Sequence, residues 1–317
     1  MIPSADGLLL VDKPLGPTST DIVRDVRRVF GTREVGHAGT LDPTATGLLL
    51  VCVGEATKLV PHLMAAQKVY EAVVRFGAET VTDDAEGAVR FERPVPILDA
   101  ASLDSALRRF EGVVLQAPPR VSAIKQDGRR MHDRTRAGED VEERLIPREV
   151  IVHALEVLGV ALPELTLRAT VGKGFYVRSL ARDLGRMLDS AAHLTALRRT
   201  RIGAFAIADA VTPEALDRRH LRPLGAVLNA FPRAIAEGRT AERLRNGNAV
   251  PLADVRVAEP GTSALVVVAE GEPIAMGELR TTEAGPVLVV TRGFRPGAAV
   301  PGFAPGFEPE VRPFDSR

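Results

Sequence analysis

Two stretches of the chain are apolar without a break, GLLLV at 7–11 and GLLLVCV at 47–53. Such short runs, bounded by turn-forming neighbours, predict strands buried on both faces. In KVYEAVVRFG the pattern alternates instead, which places Tyr70, Ala72, Val74 and Phe76 on one face of a strand. EVIVHALEV and ELTLRATV predict two further strands, and DDAEGAVRFE a hairpin. Helical spacing governs PTSTDIVRDVRRVFG: Ile22, Val26, Val29 and Phe30 share a face, Thr18 and Asp21 fit an acidic capping box, and Gly31 stops the helix. Shorter helices are predicted in EATKLVPHLM, in SLDSALRRFEG with Ser102 as its cap, and over about 177–188, where Arg178, Arg182 and Arg186 share one face. HLTALRRTRIGAF reads as a second helix-to-loop element. VTPEAL starts another helix from Thr212 and Pro213, and TAERLRNGN ends one at Asn246-Gly247. QAPPRVSAIKQDGRRMHDRTRAGED is basic and punctuated by Pro and Gly, a loop with one short helix. From about residue 250 short apolar strands alternate with Gly and Pro, which predicts a small all-β unit. Residues 301–317 read as a loose tail.

Composition narrows the class. With 317 residues, 45% of them hydrophobic, the chain can bury a sizeable core. Its one cysteine, Cys52, sits inside an apolar strand, so no internal disulfide and no cysteine-based metal site is expected. No apolar run reaches the length of a membrane span, and the first residues do not form a basic segment followed by a long apolar one, so a cytoplasmic protein is expected. The 41 basic and 41 acidic residues cancel, but unevenly. Residues 177–203 hold six arginines against two aspartates, and residues 120–136 hold six basic side chains against two acidic ones. Acid gathers at Asp83, Asp84 and Glu86 and again over 139–143. A neutral total can therefore conceal basic surfaces suited to nucleic acid, although any single run also reads as a solvated helix face.

No P-loop, dinucleotide-binding glycine motif, nucleophile elbow or HExxH motif is present, and no two of the six histidines stand at metal spacing. The stretch GHAGTLDPTATG, 36–47, is different: it sets one carboxylate, Asp42, among glycines, hydroxyls and small residues. Asp-Pro serves a turn, and a lone acid on a hydrogen-bonded loop serves as nucleophile or base; both readings stand. The chain has no Trp and two tyrosines, Tyr70 and Tyr176, against eleven Phe. Those phenols are kept for a hydroxyl or ring edge, either in a structural bond or at a ligand. Acid, aromatic platform and arginines together suit an enzyme that acts on a nucleotide base taken out of its stack.

Five segments, GLLLVDKPLGPTSTDIV, VGHAGTLDPTATGLLLVCVGEATKL, KVYEAVVRFG, PPRVSAIKQDGRRMHDRTRAG and GKGFYVRSLARDLG, follow one another over most of residues 7–203. In content and order they resemble the bacterial tRNA pseudouridine-55 synthase family (TruB). AERLRNGNAVPL and PIAMGELR more weakly resemble that family's short PUA-like domain. The resemblance implies a mixed α/β fold: the pseudouridine synthase fold, a bent central mixed sheet flanked by helices, with a small C-terminal PUA-like β domain. The implied division is a catalytic domain over 1–238 with an RNA-gripping insertion at about 116–148, a PUA-like domain over 239–300, and a tail over 301–317. The implied reaction isomerises one uridine in the T loop of tRNA, position 55, to pseudouridine. It needs no cofactor or metal, no protein partner and no membrane, in a monomer. The alternative is a tRNA-binding or tRNA-folding protein acting without catalysis. By the same resemblance Asp42, Tyr70 and Arg178 are catalytic, with Arg178 paired to Asp42, and His37, Tyr70, Tyr176, Leu197 and Lys13 meet the substrate. The chain departs from the family pattern at Val121, where an aromatic is usual, and at Met131-His132, both in the inserted segment.

Overall fold

The architecture comes from a computed structural model, which describes residues 5–121, 125–126, 129–130, 145–257 and 264–304. Met131-His132, most of the inserted segment and the end of the tail lie outside the described residues. In the first part of the chain run β1 (Gly7–Lys13), α1 (Ser19–Phe30), β2 (Val35–His37), β3 (Ala45–Val53), α2 (Val60–Ala65) and β4 (Lys68–Phe76). After them come β5 (Ala78–Thr80), β6 (Val89–Glu92), α3 (Ala100–Arg108), β7 (Gly112–Gln116), and the short β8 (Lys125–Gln126) and β9 (Arg129–Arg130). The first sheet is completed by elements among β10 (Arg148–Ala161), β11 (Glu164–Val171), α4 (Val177–Met187), β12 (Ala192–Ile202), β13 (Phe205–Ala206) and β14 (Arg222–Pro223). The central sheet runs β14-β1-β3-β12-β4-β11-β10-β7, with β2 on β3 and β13 on β12.

The apolar run of β3 is explained by two covered faces. Leu49, Val51 and Val53 pack with Ile22, Val26 and Phe30 of α1. Leu48, Leu50 and Cys52 face a second cluster on the other side. The capping box forms as expected: Thr18 caps α1, Asp21 returns the bond, and Gly31 ends it in the left-handed region at φ 64°. On β4 the alternation holds, with Tyr70, Ala72, Val74 and Phe76 buried. They share a core with Leu180 and Leu184 of α4, Leu165 and Leu167 of β11, and Leu103 and Leu107 of α3. A second, six-stranded sheet is built from strands between Arg233 and Gly293. Its Val266, Val268 and Met276 enter the cluster of Leu8, Leu48 and Leu50, so the two sheets share apolar packing. Arg295 adds a polar clasp, donating to Glu55 at 3.0 Å and to both Asp6 oxygens at 2.9 and 3.0 Å. Among the described residues no helix is long and apolar enough to cross a membrane.

Three local expectations are corrected. HLTALRRTRI is not helical; it is the central strand β12, between β3 and β4. Register shifts at Leu194/Ala196 and at Arg199/Arg201 interrupt its alternation, which removes the period-two signal of a strand. Asp99, not Ser102, caps α3, with Ser102 as the reciprocal member of a capping box three residues on. The segment from Pro213 makes a single 3-10 turn, Pro213–Ala215, without a side-chain cap bond.

Candidate active site

The glycine-rich stretch joins β2 to β3, and β3 enters the sheet beside β12 in a parallel pairing: Leu197 opposite Ala45, Arg198 opposite Thr46, Arg199 opposite Gly47. Close approach of these backbones demands glycine at 47, with φ +103°; a Cβ there would lie 2.3 Å from the Arg199 carbonyl oxygen. Asp42 opens a turn closed by Ala45 N–H donating to its carbonyl at 3.0 Å, with Pro43 second. The main chain of Asp42 therefore makes the turn, and the turn's closing bond does not use its carboxylate.

Three anchors immobilise that turn. The Ser19 hydroxyl accepts from Leu41 N–H at 2.9 Å and donates to Leu41 C=O at 3.1 Å. Gly16 N–H donates to Pro43 C=O at 3.0 Å. Lys13, fully buried, donates its ammonium to the carbonyls of Pro14 and Pro17, both at 2.8 Å, and more distantly to that of Pro43 at 3.5 Å. Burial pushes the Lys13 ammonium down, Asp42 opposes that shift, and Arg199 adds to it. Lys13 was expected at the substrate; its ammonium is instead spent on carbonyls beneath the turn, where it acts as a strut.

A fourth support, Arg199, escaped sequence reasoning. Its guanidinium is buried, donates to Leu48 C=O at 2.8 Å and to Gly39 C=O at 3.0 Å, and lies 6.0 Å from the centre of the Tyr70 ring. The sequence counts it among surface arginines, and only its place opposite Gly47 in the sheet shows otherwise.

The Asp42 carboxylate meets Arg178 at 2.9 Å. Exposure separates the partners: the Arg178 side chain is 8% exposed and that of Asp42 is 42% exposed. Thus the cation is buried and the anion is partly open to solvent. Arg178 also donates to Thr82 C=O at 2.9 Å and to Val121 C=O at 3.1 Å, and stands 3.5 Å from the buried Asp84 carboxylate. Asp84 is itself oriented, its Oδ1 accepting from the Thr82 hydroxyl at 2.5 Å and from Glu86 N–H at 3.1 Å. The guanidinium is held by two carboxylates and two carbonyls, so its planar fork has little freedom.

Tyr70 is buried in one cluster with Leu41, the neighbour of Asp42, and with Ala45, and Leu197 packs half-buried against the same cluster. Tyr176, half-buried, feels both charges: burial pushes its phenol up, Arg178 opposes, and Asp42 adds. It keeps its proton and can donate a hydrogen bond. His37 carries a buried Nδ1 with no hydrogen-bond partner among the described residues. Burial foremost, with the charge of Arg199, holds its pKa below the usual imidazole value, so it is a neutral ring near pH 7. Beyond Tyr176 a cavity of about 420 Å³ opens between α2 and the start of β10, walled by Met64, Pro118, Arg148, Val150, Lys173 and Tyr176. Neither Asp42 nor Tyr70 lines it. Among the described residues no group of His, Cys, Asp and Glu gathers in a way that could hold a metal ion.

The arginine stripe on α4 is not the basic surface that its sequence suggests. Arg182 pairs with Asp183 at 2.8 Å and with the buried Asp83 at 2.9 Å, and Arg186 pairs with Glu79 at 2.7 Å. The acids Glu79 and Asp83 thus tie α4 to the segment that follows β4. Burial pushes the Asp83 carboxyl up to about 6 from 3.8, with Arg182 opposing and Glu79 adding. Between those two values the folded state binds a proton that the unfolded chain lacks, so stability from this group falls as the pH rises from about 4 to 6. Asp83→Asn is expected to flatten that decline. Chemical denaturation at pH 4.5 and 6.5 checks it: an equal slope in both proteins removes Asp83 as the cause.

Comparison with known proteins follows the same residues. Residues 27–177 match the TruB family pseudouridylate synthase N-terminal domain, and residues 178–227 the tRNA pseudouridylate synthase B C-terminal domain. The tRNA pseudouridine synthase B of Thermobifida fusca is 44% identical over 297 residues, 90% of this chain and 98% of that protein. The tRNA pseudouridine synthase B of Burkholderia lata is 44% identical over 254 residues, 78% of each chain. Among solved structures, a chain of a Cbf5-Nop10-Gar1 complex superposes with a TM-score of 0.69 at 24% identity, covering 92% of this chain and 85% of that one. A chain of an H/ACA RNP bound to a substrate RNA containing 2'-deoxyuridine gives 0.66 at 22% identity, covering 94% and 88%. At those identities the likeness is one of fold.

Proposed function

Since this chain belongs to the TruB family of pseudouridylate synthases, we propose that it converts uridine in tRNA to pseudouridine, with Asp42 as the reacting carboxylate. In that isomerisation the N1–C1′ bond breaks, the uracil turns, and a C5–C1′ bond forms. A proton leaves C5 and N1 ends with one, so atoms and electrons balance without a co-reactant. The observation that carries the reading is the unequal exposure of the Asp42–Arg178 pair. A negative charge held by a buried cation and partly open to solvent suits the electron-poor sugar carbon that base departure creates.

The neighbours take complementary roles. Tyr70 covers the extruded base, and Tyr176 and Leu197 border it. His37, a neutral ring, fills the space the base vacates. Extrusion costs on the order of a few kcal/mol of unstacking, which these contacts offset. Specificity for one uridine, position 55 in the T loop, follows from the folded shape of the T arm more than from base-edge reading. The reading includes a single chain acting without a protein partner, in the cytoplasm, with the PUA-like unit, whose sheet begins at Arg233 rather than after residue 238, and the insertion at about 116–148 adding RNA contacts. A protein that only binds or folds tRNA has no use for a carboxylate held in this way, which disfavours the non-catalytic alternative.

Incubation of the purified chain with an unmodified tRNA transcript, followed by pseudouridine mapping at each position, tests the proposal. One pseudouridine in the T loop is expected, and also in a bare T-arm hairpin. Binding without any pseudouridine makes the non-catalytic alternative the better account.

A further inference from the structure

The helix that carries Arg178 begins without a cap of its own. Tyr176 precedes its first turn in an extended conformation, φ −113° and ψ 114°, and makes no side-chain cap bond. Its main chain is held from sixty residues away by Gln116, the last residue of β7. Gln116 Oε1 accepts from Tyr176 N–H at 2.8 Å, and Gln116 Nε2 donates to Tyr176 C=O at 3.1 Å. An extended residue turns its N–H and C=O to the same side, as in a strand pair. A primary carboxamide offers one donor and one acceptor to match, and a carboxylate or an aliphatic chain does not.

Gln116 is buried, so its amide has few alternatives. The residues after it are sewn to the same helix: Arg182 donates to Ala117 C=O at 3.0 Å, and Arg178 to Val121 C=O at 3.1 Å. Tyr176 is therefore fixed at its main chain by Gln116 just where its ring comes under the charges of Asp42 and Arg178.

We propose that Gln116 is a positioning residue for the isomerisation: its carboxamide sets the direction in which Tyr176 and Arg178 leave the start of α4, and so aims both at the Asp42 carboxylate. The inference rests on the functional reading above. Gln116 touches no reacting atom; it acts through Tyr176.

The test uses the full chain and unmodified tRNA. Gln116→Leu removes both bonds at similar volume, Gln116→Glu keeps the acceptor and loses the donor, and Gln116→Met is a milder variant should the first not fold. Turnover is expected to fall about 10- to 100-fold in each, the scale of a small misplacement of reacting groups, with KM for tRNA changed less than about threefold. Tyr176→Ala should add less than about threefold once Gln116→Leu is present, because both act through one ring. If the wild-type chain makes no pseudouridine, the functional reading fails. If it does, and the Gln116 variants turn over normally, change only KM, or combine additively with Tyr176→Ala, the positioning role alone is overturned.

Discussion

Asp42→Asn abolishes pseudouridine formation, with turnover lowered on the order of 10⁴-fold or more, while tRNA binding changes by less than about threefold. The substitution keeps shape and removes charge and nucleophilicity. Nothing that shapes the turn depends on the carboxylate: Ser19, Gly16, Lys13 and Arg199 hold it through main-chain atoms of Gly39, Leu41, Pro43 and Leu48. The amide oxygen of asparagine still accepts from Arg178. A single-turnover assay with a parallel binding titration separates the two quantities. Turnover within tenfold of wild type removes Asp42 from the chemistry, and a binding loss matching the rate loss makes it a binding residue.

Arg178→Met carries the second large effect, and it reaches stability as well as rate. The guanidinium is buried between Asp42 and Asp84 and satisfies two carbonyls. Its removal leaves the Asp84 carboxylate buried without its cation and the Thr82 and Val121 oxygens without a donor. Breaking a buried pair from one side costs about 3–5 kcal/mol. Asp42 is much more exposed than Asp84, so the low end, about 3 kcal/mol, is expected. Turnover should fall about 10²- to 10⁴-fold because the Asp42 charge loses its orientation. Arg178→Lys keeps the charge but not the planar fork: most of the stability should return while turnover stays at least about tenfold down. Denaturation midpoints and turnover for the two variants check this. Equal loss of stability in both would mean that geometry rather than charge holds the helix. Full activity in Arg178→Met would remove the arginine from the site.

Much of the site was legible in the chain because it is local or carried by a long motif. The Asp42 stretch stood out through its composition, and the scarcity of Tyr against Phe drew attention to Tyr70 and Tyr176. The pairing of Arg178 with Asp42 was suggested by charge and specified by resemblance, since they stand 136 positions apart and no spacing rule spans that distance. Lys13 was attached to the substrate by the same resemblance, and its burial under the turn changes its part. Arg199, Gln116 and Asp84 gave no sequence signal for their places. Each looks like an ordinary polar residue until the sheet order brings a backbone or a cation beside it.

Periodicity and caps, by themselves, determined the elements whose stabilising contacts lie within one helical turn or along one strand face: α1 between Thr18 and Gly31, the alternating face of β4, and the doubly buried run of β3. Composition marked Asp42 as a lone carboxylate at an Asp-Pro turn between glycines. Tertiary structure alone decided that Ala192–Ile202 is the strand beside β3 rather than a helix, because two register shifts erase its alternation and its main partners, β3 and β4, lie more than a hundred residues away. It alone decided which arginines go inside. A guanidinium is buried where distant carbonyls and carboxylates converge on it, and that convergence exists only once the sheet has assembled.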